Sequence, residues 1–126
     1  MARILVIDDE SAIRSLVRRL LERAGHTVLE AADGQAGLRQ LQPQPVDLVL
    51  TDIYMPGEDG IATIRRLRRE WPQIKIITMS GGSQTGPADL NENAAAMGAA
   101  RTLSKPFDAD DLLKAVQSVL GEELET

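Results

Sequence analysis

A strand-then-helix alternation repeats five times along the chain and leaves few folds open. Each short apolar run of strand length is followed by a polar turn and then by apolar residues at helical spacing. The predicted strands span residues 4–7, 27–31, 46–51, 74–79 and 101–104. The apolar stripes of the predicted helices span residues 13–24, 34–41, 61–67, 90–97 and 112–120. This order predicts an α/β fold, in which a five-stranded parallel sheet is covered by helices on both faces.

Residue types at the ends of the first helix predict where it begins and where it stops. Ser11 has a side chain suited to capping a helix N-terminus, and Gly25 is suited to the stop. The single histidine, His26, follows that stop, so we expect it on the surface. Trp71 precedes Pro72 and is predicted to pack against the fold rather than to bind a ligand.

Length and composition favour one folded domain and exclude several classes of site. The 126 residues are 43% hydrophobic and contain no linker, repeat or low-complexity segment, which predicts a single domain over residues 1–126. Because there is no cysteine, a disulfide scaffold, a thiol nucleophile and a thiolate-bound metal are excluded. The apolar runs are too short to cross a membrane, and no secretory signal fits before residue 4. We therefore expect a cytoplasmic protein.

The charge balance argues against nucleic-acid binding. Nineteen acidic residues outnumber fourteen lysines and arginines, and a net charge of −5 disfavours contact with a phosphate backbone. Arg65, Arg66, Arg68 and Arg69 flank the apolar stripe of the third helix and are predicted to form its solvated face. We expect neither direct DNA binding nor a membrane partner.

Polar and charged residues follow four of the five predicted strands. Asp8 and Asp9 come after the first strand, Asp52 after the third, Ser80 after the fourth and Lys105 after the fifth. In a parallel sheet wound in both directions, ligands bind beyond the carboxyl ends of the strands. We therefore expect three carboxylates, one hydroxyl and one ammonium to meet at one edge of the sheet.

Three carboxylates at one place require a cation or else raised carboxyl pKa values. Two unit charges about 4 Å apart repel by about 4 kcal/mol at an effective dielectric constant near 20. Carboxylate oxygens suit Mg²⁺, which commonly bridges a protein acid to a phosphate. A carboxylate beside that ion can attack a phosphoryl group, while Lys105 and Ser80 contact the phosphoryl oxygens. The residues thus predict phosphoryl transfer to an aspartate.

The same residues carry a resemblance to a known family. They lie in four segments: Ile4–Glu10, Asp47–Gly60, Met79–Gly81 and Lys105–Phe107. In this order and at this spacing the sequence resembles a two-component response-regulator receiver domain, of the stand-alone kind that is similar to chemotaxis regulators. The resemblance covers essentially the whole chain. It implies a flavodoxin-like (βα)₅ fold with strand order 2-1-3-4-5.

The resemblance also implies roles for single residues. Asp52 would accept phosphate from a phosphohistidine on a sensor histidine kinase or a histidine phosphotransfer domain. Asp9 and Asp52 would ligate Mg²⁺ directly, Asp8 would do so through water, and the Tyr54 carbonyl would contribute. Ser80 and Lys105 would contact the phosphoryl group. The Lys105–Pro106 peptide bond would be cis.

Two departures from the family pattern concern the output of the switch. The position three residues before the lysine, where the family carries an aromatic residue or histidine, is Thr102. Ser80 and Thr102 are therefore the candidate switch residues, and we expect signalling by a hydroxyl shift on the fifth strand or through the following loop. The segment between Ser80 and Lys105 is longer than is usual, and the extra length is predicted in a loop over residues 81–87. Output would be a contact with a downstream protein, a relay to another histidine or a phosphate sink, with a homodimer through the fourth helix, fifth strand and fifth helix as a further expectation.

Two other classes of function fit the sequence less well. A pseudo-receiver that binds a partner without phosphate typically lacks an acid or the lysine, and all five residues are present here. A flavin carrier needs a phosphate cradle after the first strand, where Asp8-Asp9-Glu10 would repel phosphate. A phosphatase of the Asp-x-Asp type needs an acid two residues after its nucleophile, and Tyr54 occupies that position. The prediction is a signalling module, not an enzyme beyond its own phosphorylation and dephosphorylation.

Overall fold

Five parallel strands form the central sheet in the computed structural model, which describes residues 2–55, 58–81 and 99–121. Their order across the sheet is β2-β1-β3-β4-β5. The strands are β1 (Arg3–Ile7), β2 (Thr27–Ala31), β3 (Leu48–Asp52), β4 (Lys75–Gly81) and β5 (Arg101–Lys105). Both the parallel sheet and its strand order confirm the predicted fold class.

Four helices lie within the described part of the chain. They are α1 (Ser11–Arg23), α2 (Gly34–Leu41), α3 (Gly60–Glu70) and α4 (Ala109–Leu120). The helix predicted over residues 90–97 and the predicted loop over residues 81–87, apart from Gly81, lie outside the described residues. A two-residue antiparallel hairpin, Tyr54–Met55 with Glu58–Asp59, follows β3 and was not predicted.

The alternation of side chains along each strand divides the core into two layers. In β1, Leu5 and Ile7 belong to one buried cluster, whereas Ile4 and Val6 belong to the other. The first cluster includes residues of α2 and α3, and Trp71 packs against it, as predicted. The second cluster includes residues of α1 and α4. Helices therefore cover both faces of the sheet, and the residues that follow the strands are left at its ends.

The N-terminus of α1 differs from the prediction. Ser11 is the first helical residue, the N-cap is Glu10, and no side chain caps this end. Instead, the Asp8 carboxylate accepts a hydrogen bond from the backbone N–H of Glu10, at 2.9 Å. This bond fixes the turn that leads from β1 into α1, but it is not an N-cap bond, which would accept from the second or third helical N–H.

His26 is buried, so the prediction of a surface histidine was wrong. The side chain is 7% exposed, and its Nδ1 accepts a hydrogen bond from the backbone N–H of Ala2, at 3.1 Å. The local sequence shows a polar residue after a helix stop, but it does not show that the chain start returns to the same place. A satisfied ring nitrogen makes the burial tolerable.

The arginines of α3 lie largely in solvent, as predicted. Arg65, Arg66 and Arg69 are exposed, and Arg66 pairs with Glu70 one turn later at 2.9 Å. Arg68 donates to the carbonyl oxygens of Pro72 and Ile74, which follow the end of the helix.

Among the described residues, no helix is long and apolar enough to cross a membrane.

We expect a Gly60→Ala substitution to destabilise the domain, because α3 begins directly against the backbone that follows β3. A Cβ at Gly60 would lie 2.5 Å from the carbonyl oxygen of Ile53 and 2.7 Å from its Cα. Backbone atoms cannot rotate away, so the free energy of unfolding should fall by about 1–3 kcal/mol. Urea unfolding measures this loss.

Gly37 of α2 is the matched control. A Cβ there would lie 2.6 Å from Ile7 Cδ1, the end of a flexible side chain. That side chain can rotate away, and alanine is favoured over glycine in a helix by about 1 kcal/mol. The loss of stability in Gly37→Ala should therefore be smaller than in Gly60→Ala. Equal stability of Gly60→Ala and the wild type would contradict the prediction.

Candidate functional site

The carboxyl ends of β1, β3 and β5 bring the predicted site residues to one edge of the sheet. Asp52 is the last residue of β3, and Lys105 is the last residue of β5. Asp8 follows β1 directly, and its backbone N–H donates to the Ala31 carbonyl at the end of β2. Asp8 and Asp52 are 0% and 4% exposed, so two acidic side chains are buried here.

Lys105 joins these two carboxylates. Its Nζ lies 2.9 Å from Asp52 Oδ2, 3.0 Å from Asp8 Oδ2 and 3.6 Å from Glu10 Oε1. Two strand spacings, about 10 Å, separate β5 from β3, and the long lysine stem covers most of that distance. Burial lowers the pKa of Lys105, but hydrogen bonds and charges from Asp52 and then Asp8 outweigh it and raise the pKa above its usual value. The lysine is therefore a fixed cation.

Asp9 completes a group of acids that could hold a metal ion. One carboxylate oxygen each from Asp8, Asp9 and Asp52 can be chosen so that all three lie within 4.8 Å of one another. Asp9 is exposed, in contrast to the other two. An all-oxygen donor set that opens to solvent on one side fits Mg²⁺, which keeps part of its water shell. The residues present thus match the predicted ion.

Ser80 lies on β4, between the strands that carry Asp52 and Lys105. In the sheet register, its neighbour Met79 pairs with Asp52, and Ser80 itself pairs with Ser104. The side chain is 1% exposed, and its Oγ has no hydrogen-bond partner among the residues that the structure describes. A buried hydroxyl without a hydrogen-bond partner lowers the free energy of unfolding by about 1–3 kcal/mol. A serine at this position is therefore better explained by a role in binding than by a role in stability.

Thr102 is bonded to the neighbouring strand through its hydroxyl. The Thr78 hydroxyl donates to Thr102 Oγ1 at 3.0 Å, across the register pair that joins β4 to β5. Thr78 is fully buried and Thr102 is partly buried. Thr78 precedes Ser80 by two residues, so both side chains point to the same face of β4.

The two remaining predicted residues lie close to these. Tyr54 begins the hairpin two residues after Asp52, and a role for its carbonyl stays a prediction. The Lys105–Pro106 peptide bond is cis. Pro106 and Phe107 line, with Ile13, Leu16 and Val17 of α1, a largely apolar groove of about 370 Å³ that also touches Glu10 and Lys105.

Sequence reasoning missed one group of contacts at the site. The Arg14 guanidinium in α1 donates to the backbone carbonyl of Asp8 at 2.6 Å and pairs with Glu30 of β2 at 3.0 Å. Arg18 also pairs with Glu30, at 2.7 Å. A basic residue in the first helical turn after the acidic pair was the available signal, but its partner on β2 is visible only in the fold.

Comparison with known proteins identifies the family of the chain. The sequence model of the response regulator receiver domain matches residues 4–117. The response regulator receiver protein CpdR of Brucella abortus is 36% identical over 120 residues, which cover 95% of this chain and 98% of that protein. Sporulation initiation phosphotransferase F of Bacillus subtilis is 32% identical over 94% of this chain and 93% of its own length.

A solved structure supports the same relation. The receiver domain of NtrX from Brucella abortus superimposes with a TM-score of 0.87 and 32% identity, over 94% of this chain and 98% of that one. The similarity therefore extends over the sheet, the helices and the acidic end of the sheet together.

Proposed function

Because the chain belongs to the response regulator receiver domain family of two-component systems, we propose that Asp52 is its phosphoryl acceptor. The observation that carries the proposal is the Lys105 ammonium, 2.9 Å from Asp52 and 3.0 Å from Asp8 at the end of the sheet. The ammonium has three N–H groups, and its hydrogen bonds to Asp52 and Asp8 use two of them, which leaves a donor for a phosphoryl oxygen. The Ser80 hydroxyl, which has no hydrogen-bond partner in the described part of the chain, supports the same interpretation, since a phosphoryl oxygen would give it an acceptor.

The proposed reaction moves a phosphoryl group from nitrogen to oxygen. A carboxylate oxygen of Asp52 attacks the phosphorus of a phosphohistidine, the P–N bond breaks, and a P–O bond forms. Lys105 and Ser80 donate hydrogen bonds to the phosphoryl oxygens, where negative charge collects during the transfer. Asp8, Asp9 and Asp52, with the Tyr54 carbonyl, are the residues that would hold Mg²⁺, which supplies positive charge for those same oxygens.

The proposed donor is the phosphohistidine of a sensor histidine kinase or of a histidine phosphotransfer domain. The groove between α1 and the Pro106–Phe107 segment borders Lys105 and has apolar walls. Leu16 on this surface is 47% exposed, so an apolar helix that carries the histidine could bury it while the histidine faces Asp52. The chain would act as a single domain over residues 1–126.

The proposed output uses Ser80 and Thr102. When Ser80 donates to the phosphoryl group, β4 is drawn toward Asp52, and the Thr78–Thr102 hydrogen bond carries that displacement to β5. A threonine at this place moves a hydroxyl group rather than a large ring. A downstream protein, or a second copy of the chain, would bind the altered face formed by β5 and α4, which is the fifth of the helices predicted from the sequence.

Intact-mass measurement after incubation with acetyl phosphate tests the proposal. We expect one phosphoryl increment with Mg²⁺ and none with EDTA. If acetyl phosphate gives no increment, a panel of phosphorylated histidine domains replaces it as donor. No transfer from any donor in the presence of Mg²⁺ would contradict phosphorylation and leave a phosphate-independent interaction module.

A Ser80→Ala substitution should separate folding from phosphoryl transfer. Without ligand, removal of a buried hydroxyl that has no partner within residues 2–55, 58–81 and 99–121 should leave stability unchanged or slightly raised. Labelling by acetyl phosphate should slow about tenfold or more, because one donor to the phosphoryl oxygens is lost. Ser104→Ala, at the paired position on β5 with an exposed side chain, is the control. A normal labelling rate in Ser80→Ala would remove Ser80 from the reaction.

A further inference from the structure

Arg14 of α1 connects Asp8, which follows β1, to Glu30 of β2, an edge strand of the sheet. Its Nη1 donates to the backbone carbonyl of Asp8 at 2.6 Å, and its Nε pairs with Glu30 at 3.0 Å. We propose that Arg14 is a positioning residue for the cation site: it fixes the peptide between Asp8 and Asp9, so that the exposed Asp9 carboxylate reaches an ion shared with Asp8 and Asp52. The inference rests on the proposed function and adds a residue to it.

Several hydrogen bonds hold Asp8 and the residues that follow it, and Arg14 supplies the one on the peptide between Asp8 and Asp9. The backbone N–H of Asp8 donates to Ala31, and its carboxylate oxygens accept from the Glu10 N–H and from Lys105. The bond to Ala31 places the backbone before Asp8, and the bonds from Glu10 and Lys105 place the Asp8 side chain and the peptide after Asp9. The carbonyl that Arg14 binds belongs to the peptide unit that leads into Asp9. Its orientation sets the direction in which the Asp9 side chain leaves the backbone.

Burial shows that this contact is stable rather than a fluctuating surface pair. The side chains of Arg14 and Glu30 are 18% and 24% exposed. Hydrogen bonds from Arg18 and then Arg14 outweigh the effect of burial and hold the pKa of Glu30 below its usual value. Glu30 is therefore ionised at neutral pH. Gln40 of α2 donates to the Glu30 backbone carbonyl at 2.6 Å, which ties its main chain to a second helix.

Charge balance explains why an arginine can stand beside a cation site. An unpaired guanidinium near three carboxylates would compete with the ion for their charge. Glu30 and Glu22 together balance the charges of Arg14 and Arg18, so the Arg14 guanidinium orients the main chain without adding net positive charge. Partners that orient metal ligands in this way commonly change metal affinity by about 10- to 100-fold when they are removed.

Isothermal titration of the unphosphorylated chain with Mg²⁺ tests the inference without using phosphorylation as a readout. Arg14→Met keeps the length of the side chain but loses the donor, and it should weaken Mg²⁺ binding about tenfold. Arg14→Lys keeps one donor and a positive charge, and should restore part of the affinity. If Arg14→Met does not fold, the comparison of Arg14→Lys with the wild type decides, and an unchanged Mg²⁺ affinity there overturns the inference.

Arg18→Met is the matched control. Arg18 lies one turn further along α1 and binds the same Glu30, and its other ion pair among the described residues is with Glu22. Both variants weaken the Arg14–Arg18–Glu30 network, so urea unfolding in EDTA should show similar small losses of stability. Only Arg14→Met should change the Mg²⁺ affinity. Equal losses of Mg²⁺ affinity in the two variants would reduce Arg14 to a structural role and overturn the inference.

A kinetic experiment gives a second readout. With acetyl phosphate, the labelling rate of Arg14→Met should need about tenfold more Mg²⁺ to reach half its maximum, but the maximum should stay within about twofold of the wild type. A lower maximum with unchanged Mg²⁺ dependence would contradict a positioning role. If the wild type itself binds no Mg²⁺, the proposed function fails. If the wild type binds and Arg14→Met binds equally well, only this inference fails.

Discussion

The Asp52→Asn variant is expected to fold and to carry no phosphoryl group after incubation with acetyl phosphate and Mg²⁺. An amide oxygen is a far weaker nucleophile than a carboxylate, and the amide also removes one negative charge from the group that would hold the ion. Asp52 ends a fully buried strand, and asparagine has nearly the same volume and can accept a hydrogen bond from Lys105. Intact mass and circular dichroism measure the two parts of the expectation.

An acid elsewhere in the chain controls for the loss of one charge. Asp110 of α4 has a side chain that is 79% exposed and pairs loosely with Lys114 at 3.7 Å. Asp110→Asn makes the same chemical change away from the site, and its labelling should match the wild type. A phosphoryl increment that persists in Asp52→Asn would mean that another residue accepts the group, and the assignment of Asp52 would fall.

Replacement of Lys105 by methionine should have the largest effect on stability. The ammonium neutralises two carboxylates whose side chains are 0% and 6% exposed, while Lys105 itself is 14% exposed. Removal of one partner from such a buried pair leaves the others uncompensated, which costs about 3–5 kcal/mol. Urea unfolding in EDTA should therefore show a deep loss for Lys105→Met.

Mg²⁺ should reverse much of that loss. The ion can take over the neutralisation of Asp8 and Asp52, and without the lysine it meets no competing cation there. A ligand at about 100 times its dissociation constant stabilises the folded state by about 2.7 kcal/mol. The difference in stability between Lys105→Met and the wild type should thus narrow as Mg²⁺ rises. Labelling by acetyl phosphate should still be slower by about 10²–10³, because the phosphoryl oxygens lose a charged donor.

Lys114→Met is the matched control for the lysine. Its partner Asp110 lies 3.7 Å away, and the side chains of the pair are 75% and 79% exposed. Ion pairs on the surface are screened by solvent and contribute little to the free energy of unfolding. The stability of Lys114→Met and the Mg²⁺ dependence of that stability should therefore match the wild type. If Lys105→Met is as stable as Lys114→Met in EDTA, the carboxylates at the end of the sheet do not need the ammonium, and the electrostatic account of the site is wrong.

Local patterns along the chain predicted the sheet, its helices and the place of the acids. The strand pattern is strong because buried parallel strands are apolar on both faces, as in Ile4–Ile7, where all four side chains are 0% exposed. Residues that end such strands must meet at one edge of the sheet, so the positions of Asp8, Asp52 and Lys105 in the sequence were enough to group them. Local signals failed where a distant segment contributes to the environment, as with His26, which is buried and accepts a hydrogen bond from the Ala2 backbone N–H.

The sequence alone determined which chemical groups this protein can bring to the end of its sheet: three carboxylates, a hydroxyl and an ammonium. Tertiary structure alone decided their partners. Lys105 meets Asp8 across 97 positions of the chain, and Arg14 meets Glu30 across 16. Both contacts depend on the strand order and on the length of flexible side chains, which no local pattern encodes. Strand formation follows from local burial and spacing, whereas a contact between side chains of distant segments exists only after the sheet has set their distance.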